Sequence, residues 1–296
     1  MSQSQKKVIT QDKVVYFINY ILLAILLVVV LYPIIYIVSC SFSSGDALMT
    51  GKVKFLPAEP TLQSYKAVFK YQSIWTGYRN SIIYAVVGTV ISMVLTLLAA
   101  YPLSREDFRG KKIFMVIVLF TMMFNGGLVP TFIQIRNLKM LNTIWAVILP
   151  SALSAYNIII MRTSFAGIPE EMLEAARIDG AGHTRILLQI VLPVSKAIIM
   201  VIVLFYGVLH WNEWFNAAIY LPQARSKFPL QLVLREIVLL SSENSIVADA
   251  DGQDVMIYRP LIKYATIMVS VIPMMALYPF VQRYFVSGVM IGSVKG

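Results

Sequence analysis

The sequence predicts an all-α polytopic membrane protein of six spans, and three observations predict it. Of its 296 residues 58% are hydrophobic and only 14% charged, far more apolar than a soluble domain of that length. The apolar residues gather into six runs, most of them near the roughly 20 residues that cross the hydrocarbon at about 1.5 Å each. Basic residues sit beside those runs, as cytoplasmic flanks do: Lys6, Lys7 and Lys13, then Arg105, Arg109, Lys111 and Lys112. The formal net charge of +10 therefore reads as membrane orientation. No compact basic face with interleaved aromatics is present, which argues against nucleic acid as a partner.

Residues 1–13 are polar and basic, a cytoplasmic N-terminus, and 14–296 read as one transmembrane domain without a fixed-period repeat. Val14 to Val38 is apolar except for Asn19 and forms the first span. Ile37-Val38-Ser39-Cys40 also fits a lipoprotein cleavage site, but the apolar run is longer than a signal peptide's. An uncleaved helix is the preferred reading. Residues 41–78 are polar and broken by Gly45, Gly51, Pro57 and Pro60, an outer loop with one short helix near Ser64 to Phe69.

Asn80 to Leu103 is the second span, followed by a basic turn that places Ser104 to Lys112 inside the cell. Ile113 to about Ile135 is the third, interrupted by Asn125-Gly126-Gly127 and Pro130. Broken helices at depth are tolerated where freed backbone meets protein or a wet cavity, so Asn125 is either pathway lining or a packing kink. Thr143 to Met161 is the fourth span, with Trp145 in an interfacial belt.

The polar stretch Pro169 to Pro193 comes next. Pro169 suits a first helical turn, and Glu170, Glu171 and Glu174 lie where the helix dipole favours negative charge. Met172, Ala175 and Ala176 share a narrow face able to enter a cleft on another protein. Asp179-Gly180 stops the helix, since glycine adopts the left-handed conformation. A second, more apolar helix follows over Thr184 to Leu192. On spacing alone, an ordinary amphipathic loop fits equally well.

The fifth span runs from Val194 to about Leu209 and into His210-Trp211-Asn212-Glu213-Trp214-Phe215-Asn216. Rings beside a carboxylate and amides are what a sugar site uses, which makes Trp211, Asn212, Glu213 and Trp214 candidate contacts. The same composition describes an aromatic belt at the outer interface. Residues 210–259 form the second long outer loop, acidic over 241–254, and its Asp249-Ala250-Asp251-Gly252 lacks the remaining ligands of a calcium loop. Pro260 to Val286 is the sixth span, and residues 287–296 form a cytoplasmic tail.

Glu174-Ala175-Ala176, Asp179-Gly180-Ala181, Ile190, Leu192 and Pro193 resemble the EAA loop of permease subunits in bacterial ABC importers. The resemblance extends along nearly the whole chain to the sugar-importing branch that includes the maltose and alginate permeases. It implies the type I importer permease fold, in which this loop is a coupling helix docked on an ATPase subunit. Glu174 would then meet a basic residue of the ATPase, Ala175 and Ala176 would fit its cleft, and Gly180 would permit the turn. Glu170, Glu171, Asp179 and Ala181 belong to the same docking stretch. The tail resembles the C-terminal signature of maltose-type permeases, which implies that Ser293, Lys295 and Gly296 reach the ATPase pair.

The implied partners are a second permease chain in a heterodimer, two ATPase subunits, an extracytoplasmic solute-binding protein, an oligosaccharide that is long or acidic, and membrane lipid. The implied location is the bacterial cytoplasmic membrane, with both termini inside. No G-x-x-x-x-G-K-[ST] occurs, so ATP and its Mg belong to the partner ATPase and the chain is read as carrying no cofactor and no catalytic role. Cys40 is the only cysteine, and His183 and His210 lie far apart, so no metal cluster is expected. Two other classes stay open. An ion-coupled secondary transporter would place ionisable groups within its spans, and a membrane enzyme would need a third member beside His210 and Glu213.

Overall fold

Every regular element in the computed structural model is helical among the described residues, which are 3–240, 262–276, 279 and 282. The chain divides into two units, Met1–Tyr71 with Ile237–Val269 and Gln72–Glu236 with Ser270–Gly296.

The first unit opens with α1, Gln3–Ser41, whose side chains over residues 15–35 are exposed all round in the way a lipid-facing helix's are. The helix runs unbroken through Cys40, which is fully buried with Ala47 and Val53. Ser44 caps α2, Gly45–Met49, by accepting from the Ala47 N–H at 3.2 Å. The short helix expected near Ser64 is α3, Gln63–Lys70.

The second unit is built on α4, Gln72–Ser104, which starts eight residues earlier than hydropathy alone predicts. The predicted third span is two helices, α5 (Lys111–Met123) and α6 (Leu128–Asn137), bent by 112° at the Asn125-Gly126-Gly127 break. Gly127 has φ +85°, a conformation that other residues resist, and Asn125 Oδ1 accepts from its N–H at 3.0 Å. The fourth is likewise α7 (Ile144–Ile148) and α8 (Ala155–Ala166), bent by 52° beyond Pro150. Then come α9 (Glu170–Ile178), α10 (His183–Ile186), a π-turn over Leu187–Val191, and α11 (Leu192–Val194). Pro193 explains the π-turn: its ring cannot sit against the carbonyl four residues back, and the wider turn relieves the clash. An 86° bend leads into α12 (Lys196–Trp211), followed by α13 (Phe215–Tyr220) and α14 (Leu230–Leu240).

Among the described residues two helices are long and apolar enough to cross a membrane, and counting each bent pair as one span brings the number to five. The predicted sixth span is described as the helix Ile262–Ala276, and the rest of it lies largely outside the described residues.

The contact of α4 with α12 is a seam of small and polar groups. The Gly88 Cα faces the His210 ring, Ser92 Oγ meets His210 Nε2 at 3.1 Å, and Thr96 Oγ1 meets the Tyr206 hydroxyl at 2.7 Å. That hydroxyl also accepts from the Ser154 N–H at 3.1 Å, which ties α8 to the same seam. In a lipid environment polar groups of this kind are held only where they find partners, and here they join three helices.

At its first end, α4 anchors the segment after α13. Ser81 Oγ accepts from the Leu230 N–H at 2.9 Å, Asn80 Nδ2 donates to the Ser226 and Phe228 carbonyls, and the Tyr84 hydroxyl donates to Lys227 O at 2.8 Å. Gly77 allows the close approach there, because a Cβ would lie 3.0 Å from Leu230 Cα and push the two backbones apart. The other end of α4, at Ser104 and Arg105, meets α8 and α9. A rise of about 1.5 Å per residue sets Ser81 roughly 35 Å from Ser104, comparable with the hydrocarbon thickness.

Candidate coupling and substrate sites

The first site is α9 and the turn that ends it. Pro169 stands at the N-cap, Glu170 and Glu171 occupy the first turn and Arg177 the last, so charge follows the helix dipole at both ends. Gly180 has φ +78°, its N–H donates to Arg177 O at 3.0 Å, and the Ala181 N–H donates to Ala176 O at 2.9 Å. These two bonds form a Schellman cap and satisfy carbonyls the helix end would leave open. A Cβ at Gly180 would meet nothing within 4 Å. Backbone conformation, not space, calls for glycine here.

Of the three residues that spacing puts on a partner-facing side of α9, Met172 and Ala175 are exposed and Ala176 is half-buried. Leu173, 1% exposed, is the buried anchor and packs in a cluster with Tyr101, Phe165, Ile186 and Tyr206. Ala176 and Ala181 pack against the same cluster, so Ala176 faces its own protein more than a partner. Glu171, Met172, Glu174, Ala175, Asp179 and Gly180 are exposed. Ile178 stands with them at 86% exposure, an apolar side chain that no described residue covers. The outward face therefore centres on Glu171, Ala175 and Ile178.

Glu170 also turns inward. Its carboxylate lies 3.9 Å from Arg105 Nη1 and 3.5 Å from Arg177 Nη1, and Arg177 Nη2 reaches Asp107 at 3.2 Å. Arg105 is 4% exposed, donates from Nη2 to Phe165 O at 2.6 Å and from Nε to Ser104 Oγ at 2.9 Å, and lies over the Tyr101 ring. A charge this deeply buried is held by pairing and hydrogen bonds together. Arg105 thus joins the ends of α4 and α8 to the start of α9, and neither it nor Asp107 and Arg177 stood out in the sequence as part of this site. A cleft of about 480 Å³ beside it is lined by Tyr101, Arg105, Phe108, His183 and Leu187, among others.

The second site lies at the other end of α4. After α12 ends, the Glu213 carboxylate accepts from the Asn216 N–H at 2.9 Å and from Asn216 Nδ2 at 3.0 Å, which caps the start of α13. Burial pushes the Glu213 carboxyl above its ordinary value, while the bonds from Asn216 pull it back. Trp211 is 5% exposed, and its indole Nε1 finds no hydrogen-bond acceptor among the described residues. Asn212 is exposed, and its Oδ1 accepts from Gln231 Nε2 at 3.4 Å. The Trp214 ring carries the Arg235 guanidinium, whose Cζ lies 3.8 Å from the ring centroid. The structure so brings Asn212, Glu213 and Trp214 together with Gln231 and Arg235.

Asn125 lies in the bend between α5 and α6, and among the described residues no hydrogen bond or ring contact joins it to Trp211–Trp214. Ser293, Lys295 and Gly296 and the acidic segment 241–254 lie outside the described residues. No group of three or more His, Cys, Asp or Glu side chains able to hold a metal occurs among the described residues.

No family model matches the chain. It is 38% identical over 264 residues to the polygalacturonan/rhamnogalacturonan transport system permease protein of Bacillus subtilis (strain 168), covering 89% of this chain and 92% of that one. It is 26% identical over 273 residues to the arabinooligosaccharides transport system permease protein of Halalkalibacterium halodurans, covering 90% and 92%. A crystal structure of a bacterial ABC transporter involved in the import of the acidic polysaccharide alginate contains a similar chain. The TM-score is 0.84 at 36% identity, over 96% of this chain and 99% of that one.

Proposed function

The chain belongs to the permease subunits of sugar-importing ABC transporters, and on that premise we propose that it forms half of a pathway carrying an acidic oligosaccharide inward by alternating access. Two relatives named for acidic polysaccharides, at 38% and 36% identity, support the substrate class. The complete assembly contains this chain, a second permease chain, two ATPase subunits and an extracytoplasmic solute-binding protein. It sits in the cytoplasmic membrane with both termini of this chain inside, and six spans make up its transmembrane domain.

The observation that carries the reading is the placement of two different surfaces at opposite ends of α4. One is a capped short helix presenting Glu171, Glu174, Ala175 and Ile178, and the other is the polar and aromatic cluster around Trp214. Moving a pathway from 1:99 to 99:1 in favour of one state takes about 5.5 kcal/mol of differential binding. This chain has no P-loop, so ATP binding by the partner subunits supplies that bias, and α9 receives it. Leu173 and Arg105 then pass the displacement to α4 and α8.

The test is uptake of short oligogalacturonides into proteoliposomes holding the complete transporter, with ATP enclosed and the solute-binding protein outside. Uptake should require both. Uptake that persists without ATP and follows an ion gradient would overturn the reading in favour of a secondary transporter.

A further inference from the structure

At the end of α4 far from α9, two contacts run side by side between α14 and the segment after α12. Gln231 meets Asn212, and one helical turn on, Arg235 lies over Trp214. Gln231 and Arg235 are spaced i, i+4 and so share a face of α14, whose Leu232 and Val233 are buried. A guanidinium whose carbon lies 3.8 Å over an indole ring spends no N–H on an acceptor there, and its N–H groups form the fork that matches a carboxylate.

Among the described residues the cation is also left without a counter-charge. Arg225, on the same stretch, pairs with Glu236 at 3.6 Å, whereas among the described residues no carboxylate lies within ion-pair distance of Arg235. The acid next to Trp214 in sequence, Glu213, has both oxygens engaged by Asn216. Arg235 itself is exposed.

We infer that Arg235, held over the Trp214 ring and near the Asn212 and Gln231 amides, is the group that recognises the carboxylate of a uronic-acid residue in the translocated oligosaccharide. The amides serve the sugar hydroxyls beside it. This assignment rests on the proposed acidic-oligosaccharide function and adds the residue that discriminates acid from neutral sugar.

The rival role for Arg235 is a structural brace on Trp214. The two are separated by Arg235→Met, which keeps an unbranched chain over the indole and removes the charge, and by Arg235→Lys, which keeps the charge and loses the planar fork. The experiment uses the complete transporter with ATP hydrolysis arrested in its ATPase subunits. Equilibrium binding of trigalacturonate and of its full methyl ester is measured for each variant, alongside the melting temperature.

The wild type should prefer the acid by roughly tenfold or more. Arg235→Met should lose that preference with its melting temperature unchanged, and Arg235→Lys should keep part of it. A wild type that prefers the acid together with an Arg235→Met variant that prefers it equally would overturn the assignment while leaving the acidic-substrate reading intact. Equal loss of affinity for both probes with a lowered melting temperature would make Arg235 a brace and overturn the assignment too. A wild type that does not distinguish the probes would overturn the acidic-substrate reading itself.

Discussion

Replacing Gly180 separates two reasons for a glycine at the end of the coupling helix. The residue sits at φ +78° in a turn closed by the Gly180–Arg177 and Ala181–Ala176 bonds, and a Cβ there touches nothing within 4 Å. Among the described residues the cost of a side chain is therefore conformational, about 1–2 kcal/mol for an ordinary L-residue in the left-handed region. Asparagine tolerates that region and should lose least, alanine should lose the full amount, and a β-branched valine more still. A cost of 1–2 kcal/mol lowers the ratio of capped to uncapped turn by roughly 5–30-fold. Once the uncapped form dominates, apparent affinity for the ATPase falls in proportion to the capped fraction. The assay is co-purification of the ATPase with Gly180→Asn, Gly180→Ala and Gly180→Val, together with uptake, in membranes where insertion is first shown to be normal. The predicted order is Gly, Asn, Ala, Val. If asparagine and alanine were as damaging as valine, bulk against the partner and not φ would be the cause. If valine co-purified and transported normally, the coupling assignment would be wrong.

Two further expectations follow from side-chain geometry. A Cβ on Gly88 would sit 2.7 Å from the His210 ring, so Gly88→Ala should destabilise the chain by about 1–3 kcal/mol through overpacking, seen as a lower melting temperature in detergent. A melting temperature equal to the wild type's would show that α4 and α12 do not close on each other there. The Arg177–Asp107 contact is partly exposed, so Arg177→Asp should cost little stability, about 0–1 kcal/mol, yet weaken the link from α9 to the turn after α4. Pairing it with Asp107→Arg should restore the ratio of sugar transported to ATP hydrolysed, and an uncorrected ratio in the double variant would sever that link from the mechanism.

Sequence patterns exposed the breaks better than the faces. Gly126-Gly127 and Pro130 mark the 112° bend directly, because positive φ and a fixed proline ring are local properties. Pro169 and Gly180 bracket α9 for the same reason. Which side of α9 turns inward was not legible, since Met172 and Leu173 are adjacent and equally apolar. The decision belongs to the cluster around Phe165 and Tyr206, far along the chain. The first turns of α4 were missed because Gln72, Ser73, Arg79 and Asn80 make them polar, although Asn80 is there to bind the loop at Ser226. Residues 215–220 and 230–240 read as loop, since Pro222 and Pro229 lie between them, yet each forms a short helix. Arg105 looked like one more flanking cation. Its burial depends on the Phe165 carbonyl sixty positions away, and no local pattern announces that bond.

The proposed mechanism requires α9 to lie on the cytoplasmic side against an ATPase subunit. Ala175 is exposed at the centre of its outward face, and the sole native cysteine, Cys40, is fully buried, so an Ala175→Cys variant presents a single accessible thiol among the described residues. A thiol-to-amine cross-linker applied to inverted membrane vesicles should join that residue to the ATPase subunit, with a yield that changes when ATP is added. Labelling of the same thiol by a membrane-impermeant reagent from outside intact cells, with no ATPase adduct, would contradict the account.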